Sequence, residues 1–178
     1  TTFLGFPFVL SVVFLGFGYI GTIVFTPLLA VGGVMAWWWI IKTVTKQERL
    51  ADWSALFVLM HPAFWYYSGR VFMNNVPFVA LILLAIALFI TAQRCKSFWL
   101  GLLVGGISAL AFSFRLADAP LAIIIVAILF GLYYFKLSWR VIIGILFGVL
   151  ISASLYIGIN FQTYGSLFAT GYNAPNLR

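Results

Sequence analysis

Charge is what this sequence has least of. Three residues are acidic and ten are Lys or Arg, so charged side chains make up 7% of the chain. A soluble domain carries about 25%. With 65% of residues hydrophobic and a mean hydropathy of +1.15, there is too little polar surface to face water, and an independently soluble fold is excluded. Cysteine is nearly absent. Cys95 stands alone, which rules out an internal disulfide and leaves the redox compartment open. Histidine is equally scarce: His61 has no Cys, Asp or Glu near it at metal-ligand spacing. The sequence also lacks a phosphate-cradling Gly-rich loop and a nucleophile elbow. The net charge of +7 does not imply nucleic acid, because the basic residues are scattered singly between apolar runs rather than gathered into a patch.

What is there is a succession of apolar runs, better counted in membrane crossings of about 20 residues than in soluble domains. The runs predict helices over residues 3–19, 21–43, 52–67, 76–92, 98–114, 119–135 and 140–159. The expected fold is an all-α polytopic transmembrane bundle of six or seven segments, forming a single domain over 1–178. The polar stretch 160–178, rich in Gly, Asn and Tyr, is expected to be an outer-face loop. The run 3–19 is short and weakened by Gly5, Pro7, Gly16 and Gly18, so it either spans or lies at the outer surface. The chain opens on Thr1 and closes on Arg178 just after that loop-like stretch, and the expectation is an internal fragment of a longer protein.

Basic residues orient the bundle. Lys42, Lys46 and Arg49, then Arg94 and Lys96, then Lys136 and Arg140 fall in alternate connections and belong on one side, read as cytoplasmic. Arg70, Arg115 and the tail fall on the other. Trp37, Trp38, Trp39, Trp99 and Trp139 cluster near the first set, and Trp65, Tyr66 and Tyr67 near the second, as aromatic belts do. Gly101 with Gly105, and Gly144 with Gly148, have the GxxxG spacing of closely packed membrane helices.

Few polar groups fall on the outer side. Arg70 either snorkels to headgroups or grips a phosphate with its planar fork. Arg115 either joins Arg70 on a lipid phosphate or pairs with Asp118. Asp118 precedes Ala119-Pro120 and an apolar run, which favours a helix N-cap over a catalytic or metal role. Asn75, before Val76-Pro77, reads as a cap in the same way. His61, followed by the helix-kinking Pro62, reads as a locally bonded histidine.

Three stretches in order carry a family resemblance. The stretch 61–77, HPAFWYYSGRVFMNNVP, looks like the proline-bearing helix and Ser-Gly-Arg turn of GT-C membrane glycosyltransferases. The stretch 101–115, GLLVGGISALAFSFR, is similar to their Gly-rich helix ending in arginine. The stretch 160–172, NFQTYGSLFATGY, resembles their outer-loop pattern. The dolichyl-phosphate-mannose mannosyltransferase and aminoarabinose-transferase-like branch is the most similar. The resemblance implies transfer of a sugar from a polyprenyl-phosphate donor to a protein, lipid or glycan acceptor on the outer or lumenal face. The membrane would be a prokaryotic plasma membrane or the ER.

The resemblance casts Arg70 and Arg115 as contacts to the donor phosphate, with Asn74, Asn75 and Asp118 as further polar candidates. It casts Asn160, Tyr164, Gly165 and Tyr172 as the outer loop on the acceptor side. Two departures matter. The family's key aspartate lies in an outer loop upstream of these residues, so the catalytic residue is expected outside this chain. The acidic residue after the family's arginine is matched here by Asn74 or Asn75. An amide is no base and a poorer ligand than a carboxylate, so a divalent metal cofactor stays an open question and no metal residue is assigned. The alternative is a secondary transporter or flippase-like protein. It would show charges or broken helices near the midplane, whereas the charges here fall at the ends of the runs.

Overall fold

A computed structural model describes residues 5–70, 73–115 and 137–164. These residues form helices and no strand. In chain order they are α1 (Gly5–Thr45), α2 (Glu48–Met60), α3 (Pro62–Ser68), α4 (Asn75–Cys95), α5 (Phe98–Phe114) and α6 (Trp139–Tyr164). Three of them, α1, α4 and α6 over Trp139–Gln162, are long and apolar enough to cross a membrane, and α5 is apolar but shorter. The described residues are thus all-α, with three helices that suggest a membrane protein.

Several sequence expectations need correction. The break between the runs 3–19 and 21–43 falls at Gly18, whose φ of 64° and ψ of −160° are non-helical, rather than at Ile20; it divides α1 into two helical arms, the two segments expected. The run 52–67 begins earlier, at Glu48, and breaks in two at His61, because Pro62 has no N–H to continue the ladder. The polar tail does not start at Asn160: α6 runs on through Tyr164, and Asn160 is buried. Gln162 and Thr163 are polar but not helix-breaking, so one further turn forms where a loop was expected. The run 98–114 is α5 to the residue. The run 119–135 and Lys136 lie outside the described residues.

Two short connections, Lys46-Gln47 and Lys96-Ser97, end α1 and α4 in the same way. Each lysine adopts a left-handed conformation, with φ of 58° and 49°. Glycine is usual at that position, and a side chain there costs about 1–2 kcal/mol. The cationic head beside the negative end of each helix offsets part of that cost. α2 then returns along α1. Trp38 Nε1 donates to Asp52 Oδ1 at 2.8 Å, and Lys42 pairs with Glu48 one turn further on.

α5 and α6 make the closest helix pair. Gly101 faces the backbone of Val141, and Gly105 that of Ile145; reciprocally, Gly144 faces Phe98–Leu102 backbone and Gly148 faces Leu102 and Gly106. A Cβ at any of these four would fall on a main-chain carbonyl oxygen. Numbers rise together along both helices, so α5 and α6 run parallel. The same bookkeeping puts Lys42, Lys46, Arg49, Arg94, Lys96 and Arg140 at one end of the bundle. Arg70 and Arg115 lie at the other end, as the alternation of basic residues predicts. Phe6, Leu10, Phe78, Leu81, Ala111 and Phe114 form a core near that second end, with Phe6 edge-on to Phe114 at 5.1 Å between centroids.

Candidate polar site at the Arg70–Arg115 end

α4 begins where α5 ends, and each supplies what the other lacks. The last carbonyls of a helix have no partner inside it. Asn74 Nδ2 donates to the Phe114 carbonyl at 2.7 Å, so a residue preceding α4 caps the end of α5. Arg115, the residue after α5, donates from Nη1 to Asn75 Oδ1 at 2.5 Å. Phe114 is fully buried, while Asn74, Asn75 and Arg115 are half-buried. Buried polar groups of this kind cost free energy unless bonded, and the crossed pair bonds them.

The geometry revises the sequence reading of these asparagines. Asn75 is the first residue of α4 rather than its cap. Asn74 occupies the cap position, yet its side chain makes no cap bond because it is turned to Phe114. Arg115 bonds Asn75; Asp118, its other candidate partner, lies outside the described residues, as do Gly165 and Tyr172. Asn160 and Tyr164 belong to the last turns of α6.

Arg70 follows α3 and is exposed. Its guanidinium lies over the Tyr66 ring at 4.3 Å from the centroid, a cation–π contact, and its carbonyl accepts from Met73 N at 3.3 Å. Asn75 is five positions further along the chain, a Cα separation of at most about 18 Å. His61 caps α3: Nδ1 accepts from Ala63 N at 3.2 Å, the local bond its isolation in the sequence suggests. Trp65 Nε1 reaches back across the break to the Leu59 carbonyl at 2.6 Å.

Beside this cluster, a cleft of about 540 Å³ opens between α1, α2, α3 and α4. Its walls are apolar, with Gly33, Val34, Val79 and Leu83 among them. Tyr67 and Asn75 also line it, and Asn75 is the residue that Arg115 holds. Trp37 contributes an indole N–H that has no partner. Sequence reasoning missed Trp37 and Tyr67 because both look like interfacial aromatics. It also missed the pairings 74–114 and 75–115, which span 40 residues and leave no local signal.

Among the described residues, no three His, Cys, Asp or Glu side chains come together. The asparagine oxygen best placed for a cation, Asn75 Oδ1, already accepts from a guanidinium. A divalent ion there would meet the Arg115 charge, so the residues present do not fit a metal. Compared with known proteins, the chain matches no family model, no curated protein and no solved structure.

Proposed function

We propose that the chain is the membrane part of a glycosyltransferase that uses a polyprenyl-phosphate sugar donor at its Arg70–Arg115 end. One observation carries the reading: Arg115 is held by Asn75 at the edge of an apolar cleft. A lipid-linked phosphate needs that combination of an apolar slot for its chain and a cation at the slot's end. The volume is within the range of small-molecule pockets. The bond to Asn75 uses Nη1 and fixes the planar fork, which is suited to bidentate phosphate contact. Arg70, stacked on Tyr66, is the second cation at the same end.

In this reading the arginines stabilise charge on the phosphate as the sugar departs. The acceptor hydroxyl needs a base. Glu48 and Asp52 are bonded at the opposite end of the bundle, so we place the base outside the described residues. The Arg70–Arg115 end is the outer or lumenal face, and the basic end is cytoplasmic. Six or seven crossings follow if α2 with α3, and α5, cross as shorter segments and the run 119–135 returns the chain between parallel α5 and α6.

The test is donor binding and turnover by the full-length protein in liposomes. Arg115→Ala should lower turnover at least tenfold, about 1.4 kcal/mol of lost stabilisation, with poor rescue by lysine. Unchanged donor affinity and turnover in both Arg70→Ala and Arg115→Ala would refute the reading.

One observation favours a second reading. The helix break at His61–Pro62 lies between α2 and α3, and broken helices mark binding sites in secondary transporters. Substrate uptake by empty proteoliposomes, without any sugar transfer, would favour it.

A further inference from the structure

The parallel packing of α5 and α6 sets two helix N-termini side by side at the basic end. Gly101 faces Val141 and Gly144 faces the Phe98–Leu102 backbone, so the first residues, Phe98 and Trp139, lie within about one turn of each other. The first amides of a helix have no partner inside it, and they carry partial positive charge. At α5, Ser97 Oγ accepts from Leu100 N at 3.5 Å. At α6, the ladder starts at the Ser138 carbonyl, which accepts from Ile142 N at 3.1 Å, and the amides of Trp139 and Arg140 precede it. Parallel dipoles repel when they lie side by side. Arg94, Lys96 and Arg140, all exposed, add three full charges. None of the three acidic residues, Glu48, Asp52 and Asp118, belongs to α4, α5 or α6. Glu48 and Asp52 are bonded to Lys42 and Trp38 instead.

A second, independent observation lies at the same place. Gln93, near the end of α4, is 7% exposed. Its Oε1 accepts from Ser138 N at 3.0 Å, which holds the carboxamide against the start of α6. Because that N–H needs an oxygen, the two ends of the amide are not interchangeable. The other end, Nε2, is buried and has no partner. A buried donor left without an acceptor costs free energy, and native structures pair nearly all of them. An anionic oxygen seated at the α6 N-terminus would give Nε2 its acceptor and meet the first amides of the helix. The surface beside this joint is apolar. Trp99 and Trp139 are exposed, as are Leu103, Ile143 and Leu146 further along α5 and α6. A ligand that joins an anion to a hydrocarbon chain suits both parts.

We propose that the joint of α4, α5 and α6 binds the phosphate of an anionic phospholipid from the leaflet at the basic end. Gln93 Nε2 and the first amides of α6 hold the phosphate oxygens, and Arg94, Lys96 and Arg140 supply the opposing charge. The site is at the end opposite Arg70 and Arg115, and it holds whether or not the chain transfers sugar.

The experiment follows thermal unfolding of the full-length protein in dodecylmaltoside micelles as dioleoylphosphatidylglycerol is added. Dioleoylphosphatidylcholine and inorganic phosphate, at the same concentrations, are the comparison arms. Phosphatidylglycerol should raise the unfolding temperature, and the other two should not. Arg140→Gln should raise the phosphatidylglycerol concentration needed for half the shift about fivefold, the loss expected for one cation. Arg49→Gln removes the same charge from α2 at the same end and should leave that concentration unchanged. Gln93→Glu keeps an acceptor for Ser138 N but sets a carboxylate against the phosphate, so the lipid-induced shift should vanish whatever the variant's own stability. No shift with phosphatidylglycerol would overturn the proposal. An equal shift with inorganic phosphate would overturn the lipid as ligand. Equal losses in Arg49→Gln and Arg140→Gln would show diffuse attraction in place of a site, a result that decides even if Gln93→Glu fails to fold. An undiminished shift in folded Gln93→Glu would remove Gln93 from the site and overturn the assignment.

Discussion

Arg115 Nη1 and Asn75 Oδ1 lie 2.5 Å apart, joining the end of α5 to the start of α4. Asn74 and Phe114 make the reciprocal bond one residue earlier on each chain segment. The crossed pair ties two helices of opposite direction at the same end where Arg70 follows α3, and it sets the orientation of a guanidinium beside an apolar cleft.

The pair should behave as a unit. Asn75→Ala leaves a half-buried guanidinium short of an acceptor, and Asn74→Ala leaves the Phe114 carbonyl uncapped. Each loss is expected to cost about 1–3 kcal/mol. A double-mutant cycle of Asn75→Ala with Arg115→Ala, followed by thermal unfolding in detergent, should give a coupling of about 0.5–3 kcal/mol. Additive losses would show that the bond does not contribute to stability.

The α5–α6 contact should be the least tolerant of added volume. Gly105→Leu and Gly148→Leu place side chains on backbone oxygens of the facing helix, so both should separate the helices and lower the unfolding temperature sharply. Gly32→Leu is the control. A Cβ at Gly32 meets nothing within 4 Å, and its effect should be small. Equal losses at all three would contradict the packing.

Gly18→Ala should strain the bend. A non-glycine residue in this conformation costs of order 1–3 kcal/mol. Gly16→Ala, two residues away in open helix, should be neutral or slightly stabilising. Unfolding midpoints of the two variants, measured side by side, check this.

The exposed interactions at the basic end should matter little. Lys42 and Glu48 are 40% and 64% exposed, and such pairs contribute at most about 1 kcal/mol. Lys42→Ala should also remove the cation from the Trp38 ring, 4.6 Å away. A stability loss well above about 1 kcal/mol on unfolding would show a larger role for this end.

Orientation can be read independently. Single cysteines at Lys46, Lys96 and Arg140 should label from one side of a vesicle, and a cysteine at Arg70 from the other. Labelling of positions 46 and 70 from the same side would contradict the arrangement of ends.

Membrane character, helix content and the two ends of the bundle were legible in the sequence. They rest on local or averaged quantities: scarcity of charge, run length, and cations that alternate from one connection to the next. The four glycines at i, i+4 spacing marked the α5–α6 contact for the same reason, since one helix face is a local pattern. The tertiary structure alone decided the rest. How the two arms of α1 meet at Gly18 and share a core with Phe78 and Phe114 depends on what their faces pack against, and both are apolar all round. Arg115 had several conceivable partners. Only folding brought Asn75, 40 residues distant, to its guanidinium, and turned Asn74 from a cap on its own helix into a cap on α5. Composition records how much polarity a chain has, whereas the pairing of each polar group is fixed by which helix ends meet in space.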